Sequence, residues 1–281
     1  YRDKLMIKLM AIDIDGTLLD DRQNIPEENV KAIEKLMSGG VYIALCSGRA
    51  IHSILSIAQQ LKLNQYDKSY IVALNGTCIF KTGSDEVLIS WVLTKNAQQA
   101  IHQLSIDYAI PVIFNTRSCR IMSHHFVDHE FVSEKICNIN DIKYLSVENI
   151  TRLDSVLKAS FVAPPEQLEY YLTLPDFRQA LGQYHSVRSE PWMLEISAAH
   201  SGKGAALDYL SRYLKLARSD LACIGNQEND ISMFAAAAWS FAVGNAPDNV
   251  KQYARYITAT NNQAGVAQAV RRLTGIGLLS P

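Results

Sequence analysis

The chain has 281 residues, a net charge of −1 from 27 basic and 28 acidic side chains, and 48% apolar residues. That balance argues against nucleic acid or an anionic membrane surface as a main partner. Its most apolar segment, Met233 to Val243, is too short to span a bilayer.

The length exceeds one modal domain, so one large or two smaller domains are expected. Met6-Ile7-Lys8-Leu9 resembles a natural start, and Tyr1 to Leu5 are expected to be foreign to the natural chain. The apolar run Ile7 to Ile12 predicts a buried parallel strand, ending in Asp13-Ile14-Asp15-Gly16-Thr17. In a strand, the i, i+2 spacing turns both carboxylates to one face. Two like charges there need a cation, a shared proton or both.

Pro26-Glu27-Glu28 opens a helix that ends at Gly39-Gly40. A strand at Val41–Leu45 runs into Cys46-Ser47-Gly48-Arg49, followed by a helix over 51–61 and a strand at Tyr70–Leu74 that ends in Asn75-Gly76. Alternation of this kind implies a doubly wound parallel sheet. Thr77–Phe80 and Val87–Trp91 read as a hairpin around Lys81-Thr82-Gly83-Ser84.

From about residue 85 to 191 the pattern becomes α+β. Helices are expected at Ala97–Tyr108, Asp128–Asn138 and Glu166–Leu174. Strands are expected at Val112–Asn115, Arg120–Ser123, Lys158–Val162, Tyr184–Arg188 and Met193–Ile196. The simplest account is a second domain, 85–191, inserted into a core formed by 6–84 and 192–281.

The α/β pattern resumes at Ser201-Gly202-Lys203-Gly204, which opens a helix. A strand at Leu221–Ile224 leads to Gly225-Asn226-Gln227-Glu228-Asn229-Asp230 and another helix. A further strand is expected at Trp239–Val243, and helices at Asp248–Ala254 and Val266–Leu273 close the chain.

Four loops at one sheet edge thus supply Asp13 and Asp15, Ser47 and Gly48, Lys203, and Asn226 through Asp230. These are the parts of phosphoryl transfer. One carboxylate can be a nucleophile, and a second can protonate the leaving group and later deprotonate water. A hydroxyl, backbone N–H groups and an ammonium can hold the equatorial oxygens. A hard divalent cation lets an anionic nucleophile approach an anionic phosphate.

Plainer readings exist for some of these residues. Ser47 can be a helix cap. Lys203 can be a solvated first-turn lysine, although a cation is unfavourable at a helix N-terminus. His124, His125 and His129 have a loose metal-like spacing, read as surface or substrate contact rather than zinc. The five cysteines, Cys46, Cys78, Cys119, Cys137 and Cys223, read as reduced packing thiols of a cytoplasmic protein.

In this order, the strings DIDGTLLD (13–20), CSGR (46–49), LNG (74–76), SGKGAAL (201–207), IGNQENDISM (224–233), GNA (244–246) and AGV (264–266) resemble the haloacid-dehalogenase superfamily, specifically its Cof-type sugar-phosphate phosphatases. The resemblance implies a Rossmann-like α/β core with an inserted α+β cap that selects the substrate. It implies hydrolysis of small phosphomonoesters with Mg²⁺, Asp13 as nucleophile, and Asp15 as general acid/base and, through its carbonyl, metal ligand. It implies phosphate binding by Ser47, Gly48, Lys203 and Asn229, and a further metal contribution from Asp230. The family's first acid of the fourth loop, a metal ligand, is here Asn226. That amide makes Mn²⁺ or Co²⁺ the expected preferred ions. It also leaves open a weakly active metabolite-binding relative, beside a phosphomutase. The expected partner is a small phosphorylated metabolite, with the oligomeric state open.

Overall fold

The computed structural model describes residues 6–84, 86–117, 119–123, 126, 130–135, 142–145 and 153–280. The chain divides into two compact units. One runs to Ile89 and resumes at Gly202; the other is Ser90–Ser201.

The first unit is built on an eight-stranded sheet in the order β14-β13-β12-β1-β2-β3-β4-β5. Its middle strand is β1 (Leu9–Asp13), buried at every residue. β1 pairs in parallel with β2 (Tyr42–Cys46) on one side and with β12 (Leu221–Gly225) on the other. β3 (Ser69–Ala73) continues parallel beyond β2, and β13 (Trp239–Ala242) and β14 (Tyr256–Ile257) beyond β12. Strands covered on both faces read as unbroken apolar runs, which is why this core was visible in the sequence. β4 (Cys78–Lys81) runs antiparallel to β3, and β5 (Val87–Ser90) lies beside it at the edge.

The connectivity positions the site. From β1 the chain winds outward through β2 and β3, then returns to the far side of β1 at β12. The order therefore reverses between β1 and β12, and the crevice at the carboxyl ends of strands at such a point is where open α/β sheets take ligands. Asp13 is the last residue of β1. After it the chain makes a tight bend over Ile14–Leu18, with Gly16 at φ +69°.

Helices flank the sheet: α1 (Glu27–Ser38), α2 (Ile51–Gln60), then, after the second unit, α7 (Lys203–Tyr213), α8 (Glu228–Ala236), α9 (Asp248–Lys251) and α10 (Gly265–Gly275).

The second unit has a six-stranded sheet, β10-β11-β9-β6-β7-β8. Its strands are β6 (Val112–Asn115), β7 (Arg120–Ser123), β8 (Ile142–Leu145), β9 (Lys158–Val162), β10 (His185–Glu190) and β11 (Met193–Ser197). Among the described pairs only β7–β8 is parallel; the others are antiparallel. α3 (Lys95–Asp107), α5 (Pro165–Thr173) and α6 (Pro175–Leu181) pack on one face, around Phe114, Phe161, Phe177 and Ile196. α4 (Glu130–Lys135) is the described part of the helix expected at 128–138. Thr94 caps α3 by accepting from the Ala97 N–H at 3.2 Å.

The unit boundaries fall at 89/90 and 201/202 instead of near 85 and 191. β5 joins the first sheet, and β11, expected just inside the core segment, pairs with β9 in the second. Expectation also omitted α6, in which Pro175 stands in the first turn of a helix that buries Phe177 and Leu181.

Candidate active site

Asp13 and Lys203 meet at the reversal point. Lys203 opens α7 and is wholly buried, with its Nζ donating to Asp13 Oδ1 and to Asp230 Oδ1, each at 2.6 Å. This resolves the misfit of a lysine in a first helical turn: it is a cation held between two carboxylates. Burial works against its charge, but Asp13 and Asp230 outweigh that and hold its pKa above the ordinary lysine value.

The same burial, with Asp230 next, pushes Asp13 up to about 7, against the pull of Lys203. Asp13 Oδ2 is buried and has no hydrogen-bond partner among the described residues. One oxygen is therefore fixed and the other is open to a further group.

Asp230 ties Lys203 to the fourth loop. Its Oδ1 takes Lys203, and its Oδ2 accepts from the N–H groups of Asn226 (2.8 Å) and Gln227 (3.0 Å). Both oxygens are engaged within the protein, so Asp230 braces Lys203 and shapes the 226–230 loop. The reciprocal bond at the start of α8 explains why an acid sits three residues past Gln227.

Asp15 lies two residues beyond Asp13, and its half-exposed carboxylate pairs with the Arg49 guanidinium. Nε donates to Oδ2 at 2.8 Å and Nη2 to Oδ1, while Nη2 also donates to Gln23 Oε1. Hydrogen bonding to Asp15 raises the pKa of Arg49.

Ser47 follows β2, is buried, and accepts from the Arg49 N–H at 3.1 Å. It does not cap α2, whose N-cap position is Ala50. Its own O–H proton remains to donate. Asn229 Nδ2 donates to Asn75 Oδ1 at 2.9 Å. The Asn226 side chain lies against Gly16, so tightly that a side-chain carbon at position 16 would collide with it.

Arg49 and Asn75 were visible only as letters in short motifs. No spacing rule pairs Arg49 with a carboxylate 34 residues away or Asn75 with an amide 154 residues away. The histidines His124, His125 and His129, and Cys137, lie outside the described residues. Among the described residues, Cys46, Cys78, Cys119 and Cys223 form no disulfide. Burial pushes the Cys46 thiol up to about 12, which suits packing and not nucleophilic chemistry.

Among the described residues, no three His, Cys, Asp or Glu side chains gather as a metal-binding group, and no helix is long and apolar enough to cross a membrane. Oxygens that could receive a cation include Asp13 Oδ2, the Asp15 carbonyl, the Asn226 amide and the Asp230 carboxylate. All are hard oxygen donors, which suit Mg²⁺ or Mn²⁺. The unpartnered, buried Oδ2 of Asp13 fits such an ion.

A buried carboxylate with one oxygen held by lysine thus stands at the switch point of a doubly wound sheet, where such sheets take ligands. The sequence profile of the haloacid dehalogenase-like hydrolases matches residues 10–270, and the chain belongs to that family as an enzyme of the phosphatase type. It is similar to YxeH of Bacillus subtilis (strain 168), 30% identical over 95% of this chain and 98% of that protein. It is equally similar to YcsE of the same organism, a 5-amino-6-(5-phospho-D-ribitylamino)uracil phosphatase, 30% identical over 96% and 97% of the two chains. Among solved structures, a haloacid dehalogenase-like hydrolase from Bacteroides thetaiotaomicron superposes with a TM-score of 0.78 at 25% identity, covering 95% of this chain and 99% of the other.

Proposed function

We propose that the chain hydrolyses small phosphomonoesters, sugar and sugar-alcohol phosphates above all, with a divalent cation and through a phosphoryl group carried on Asp13. The observation that carries this reading is the asymmetry of Asp13: Oδ1 is held by Lys203 at 2.6 Å and Oδ2 is buried without a partner. A carboxylate fixed in this way presents one oxygen along one line, and that supports in-line attack on phosphorus. Support for the substrate class comes from YcsE, whose named substrate carries a phosphorylated ribityl chain.

In this reading Asp13 Oδ2 attacks phosphorus, and Lys203, Ser47, Gly48 and Asn229 hold the non-bridging oxygens. Asp15 gives its proton to the departing alkoxide, then takes one from the water that cleaves the aspartyl phosphate. Asp15 must leave Arg49 to do so. Asp13, the Asp15 carbonyl, Asn226 and Asp230 would hold the cation. Bound there, a divalent cation supplies the positive charge that favours ionised Asp13 and eases the approach of two anions. Mn²⁺ or Co²⁺ serve better than Mg²⁺ in this reading, because the Asn226 amide brings no charge. Ser90–Ser201 acts as the cap that selects the substrate, and the enzyme works in the cytoplasm.

Asp13→Asn tests the reading. The variant should fold and lose phosphate release from a panel of phosphorylated metabolites, because an amide cannot displace an alkoxide. Near wild-type release by the variant refutes it. Wild-type protein that releases phosphate steadily with excess metal is a hydrolase; return of the phosphoryl group to an isomer of the substrate marks a mutase instead.

A further inference from the structure

The bend that follows β1 carries Asp15, and asparagines distant in sequence hold it. Within the bend, Asp15 and Gly16 have non-helical backbone angles, and the Leu19 N–H closes it by donating to Ile14 O at 3.0 Å. Asn245, in the loop after β13, donates from Nδ2 to Gly16 O at 2.8 Å. Asn29, in α1, donates to Leu18 O at 3.1 Å, and Asn261 donates to Leu19 O at 3.1 Å.

The orientation of the first two amides follows from their partners. Oδ1 of Asn29 accepts from the Ala267 N–H, and Oδ1 of Asn245 from the Asn261 N–H, each at 2.9 Å. A backbone carbonyl only accepts and a backbone N–H only donates, so each amide fits its pair of partners in one sense.

The three asparagines differ in burial. Asn29 and Asn261 are buried, where an amide must find partners and its bonds serve the fold. Asn245 is exposed. Water is an alternative partner for an exposed amide, so its bond to Gly16 adds little to stability. What that bond does fix is backbone beside Asp15. In the mechanism above, the Asp15 side chain leaves Arg49 and swings to the leaving oxygen. A pivot that moves spreads the carboxylate over positions from which no proton is delivered, and rates fall steeply with such misplacement. Gly16, at φ +69°, is the flexible point next to that pivot.

We propose, resting on the phosphatase reading, that Asn245 is a positioning residue for Asp15: by holding Gly16 O it fixes the backbone about which the acid swings. Asn245→Ala removes the hold. Asn262→Ala is the control for general loosening. Asn262 is also exposed, and it bonds Asp21, beyond the bend: its Nδ2 donates to Asp21 Oδ2 at 2.8 Å and its Oδ1 accepts from the Asp21 N–H at 3.0 Å.

The measurement is steady-state hydrolysis of p-nitrophenyl phosphate and of the fastest alkyl phosphate in a metabolite panel. Asn245→Ala should lower kcat for the alkyl ester about tenfold or more and for the aryl ester less than about threefold, since a good leaving group needs little protonation. KM should stay within about twofold, because ground-state binding is untouched. In an Asp15→Asn background, Asn245→Ala should add less than about threefold to the alkyl loss, because the two residues act as one unit. Asn262→Ala should keep the wild-type ratio of alkyl to aryl rates. Both single variants should melt within about 4 °C of wild type. A readout free of turnover is hydrogen exchange of the metal-free protein, followed by mass on a peptide spanning 14–20. Asn245→Ala should speed it about fivefold or more at the Leu19 amide.

An unchanged alkyl-to-aryl ratio in Asn245→Ala overturns the proposal, as does the same change in Asn262→Ala, a full additional loss in the Asp15→Asn background, or unchanged exchange. A larger fall in melting temperature for Asn245→Ala makes the residue part of the fold's support and also overturns it. These outcomes leave the phosphatase reading standing. Wild-type protein that releases phosphate from no alkyl ester overturns both together.

Discussion

Lys203→Met separates a lysine that holds the site together from one that only visits it. The substitution keeps the length and bulk of the side chain and removes its charge. Lys203 is fully buried and bonded at 2.6 Å to two carboxylates whose own side chains are 7% and 0% exposed. Without the ammonium, Asp13 and Asp230, each bonded at 2.6 Å to that one nitrogen, face each other within about 5 Å, where two unit charges repel by about 3 kcal/mol or more at an effective dielectric near 20. Loss of one partner from a buried ion pair costs about 3–5 kcal/mol. At about 2–4 °C per kcal/mol for a unit of this size, the melting temperature should fall by roughly 6–20 °C.

A proton is the remaining escape. Asp13 already sits at about 7 with Lys203 in place, and it rises further once Lys203 is gone. The folded variant then carries a proton that the unfolded chain has released. Its stability is therefore greatest in acid and falls as pH rises toward the raised folded value. Scanning calorimetry in chelator-treated buffer, from about pH 6 to about pH 8.5, should show a deficit that grows with pH. Adding Asp230→Asn should recover part of it, since one charge no longer needs a partner. A loss under about 2 °C that is flat with pH refutes the account of Lys203 as a buried electrostatic lock.

Asp15→Asn should slow alkyl phosphates far more than aryl phosphates, because good leaving groups need little protonation; equal losses for both would remove Asp15 from the acid role. Asn226→Asp puts a formal charge where the amide now stands, worth on the order of 1–4 kcal/mol at contact range. It should lower the Mg²⁺ concentration for half-maximal activity about tenfold or more, and superimposable titrations would sink the idea. His185 has its pKa lowered from 6.5 by burial, with Glu195 opposing. The unfolded chain protonates first, so stability is full above about 6.5 and is lost as pH falls through that value toward the folded one. His185→Gln should flatten the acid limb of the second unit's melting profile, and an unchanged slope would show that another group carries it.

Local chemistry was enough to read the strand that ends in Asp13, the helix that opens at Lys203 and the loop from Asn226 to Asp230. Each depends on neighbours within a few residues: an unbroken apolar run, a glycine break, a helix start. The change from an α/β to an α+β pattern near residue 85 was legible for the same reason, because hydrophobic periodicity is a local property. The partners were not. That Lys203 joins Asp13 to Asp230, that both oxygens of Asp230 are engaged within the protein, and that Arg49 holds Asp15 depend on contacts between residues up to 190 apart in sequence. So does the left-handed turn at Leu74, which no propensity favours and which the surrounding loops impose. Strand membership at the unit boundary was also a tertiary decision: β5 and β11 have strand character by themselves, but only pairing to β4 and to β9 assigns them to a sheet. The sequence by itself determined which chemical groups stand at the ends of the strands; the fold decided which of them touch, because burial sets each charge against whatever partner the packing brings within reach.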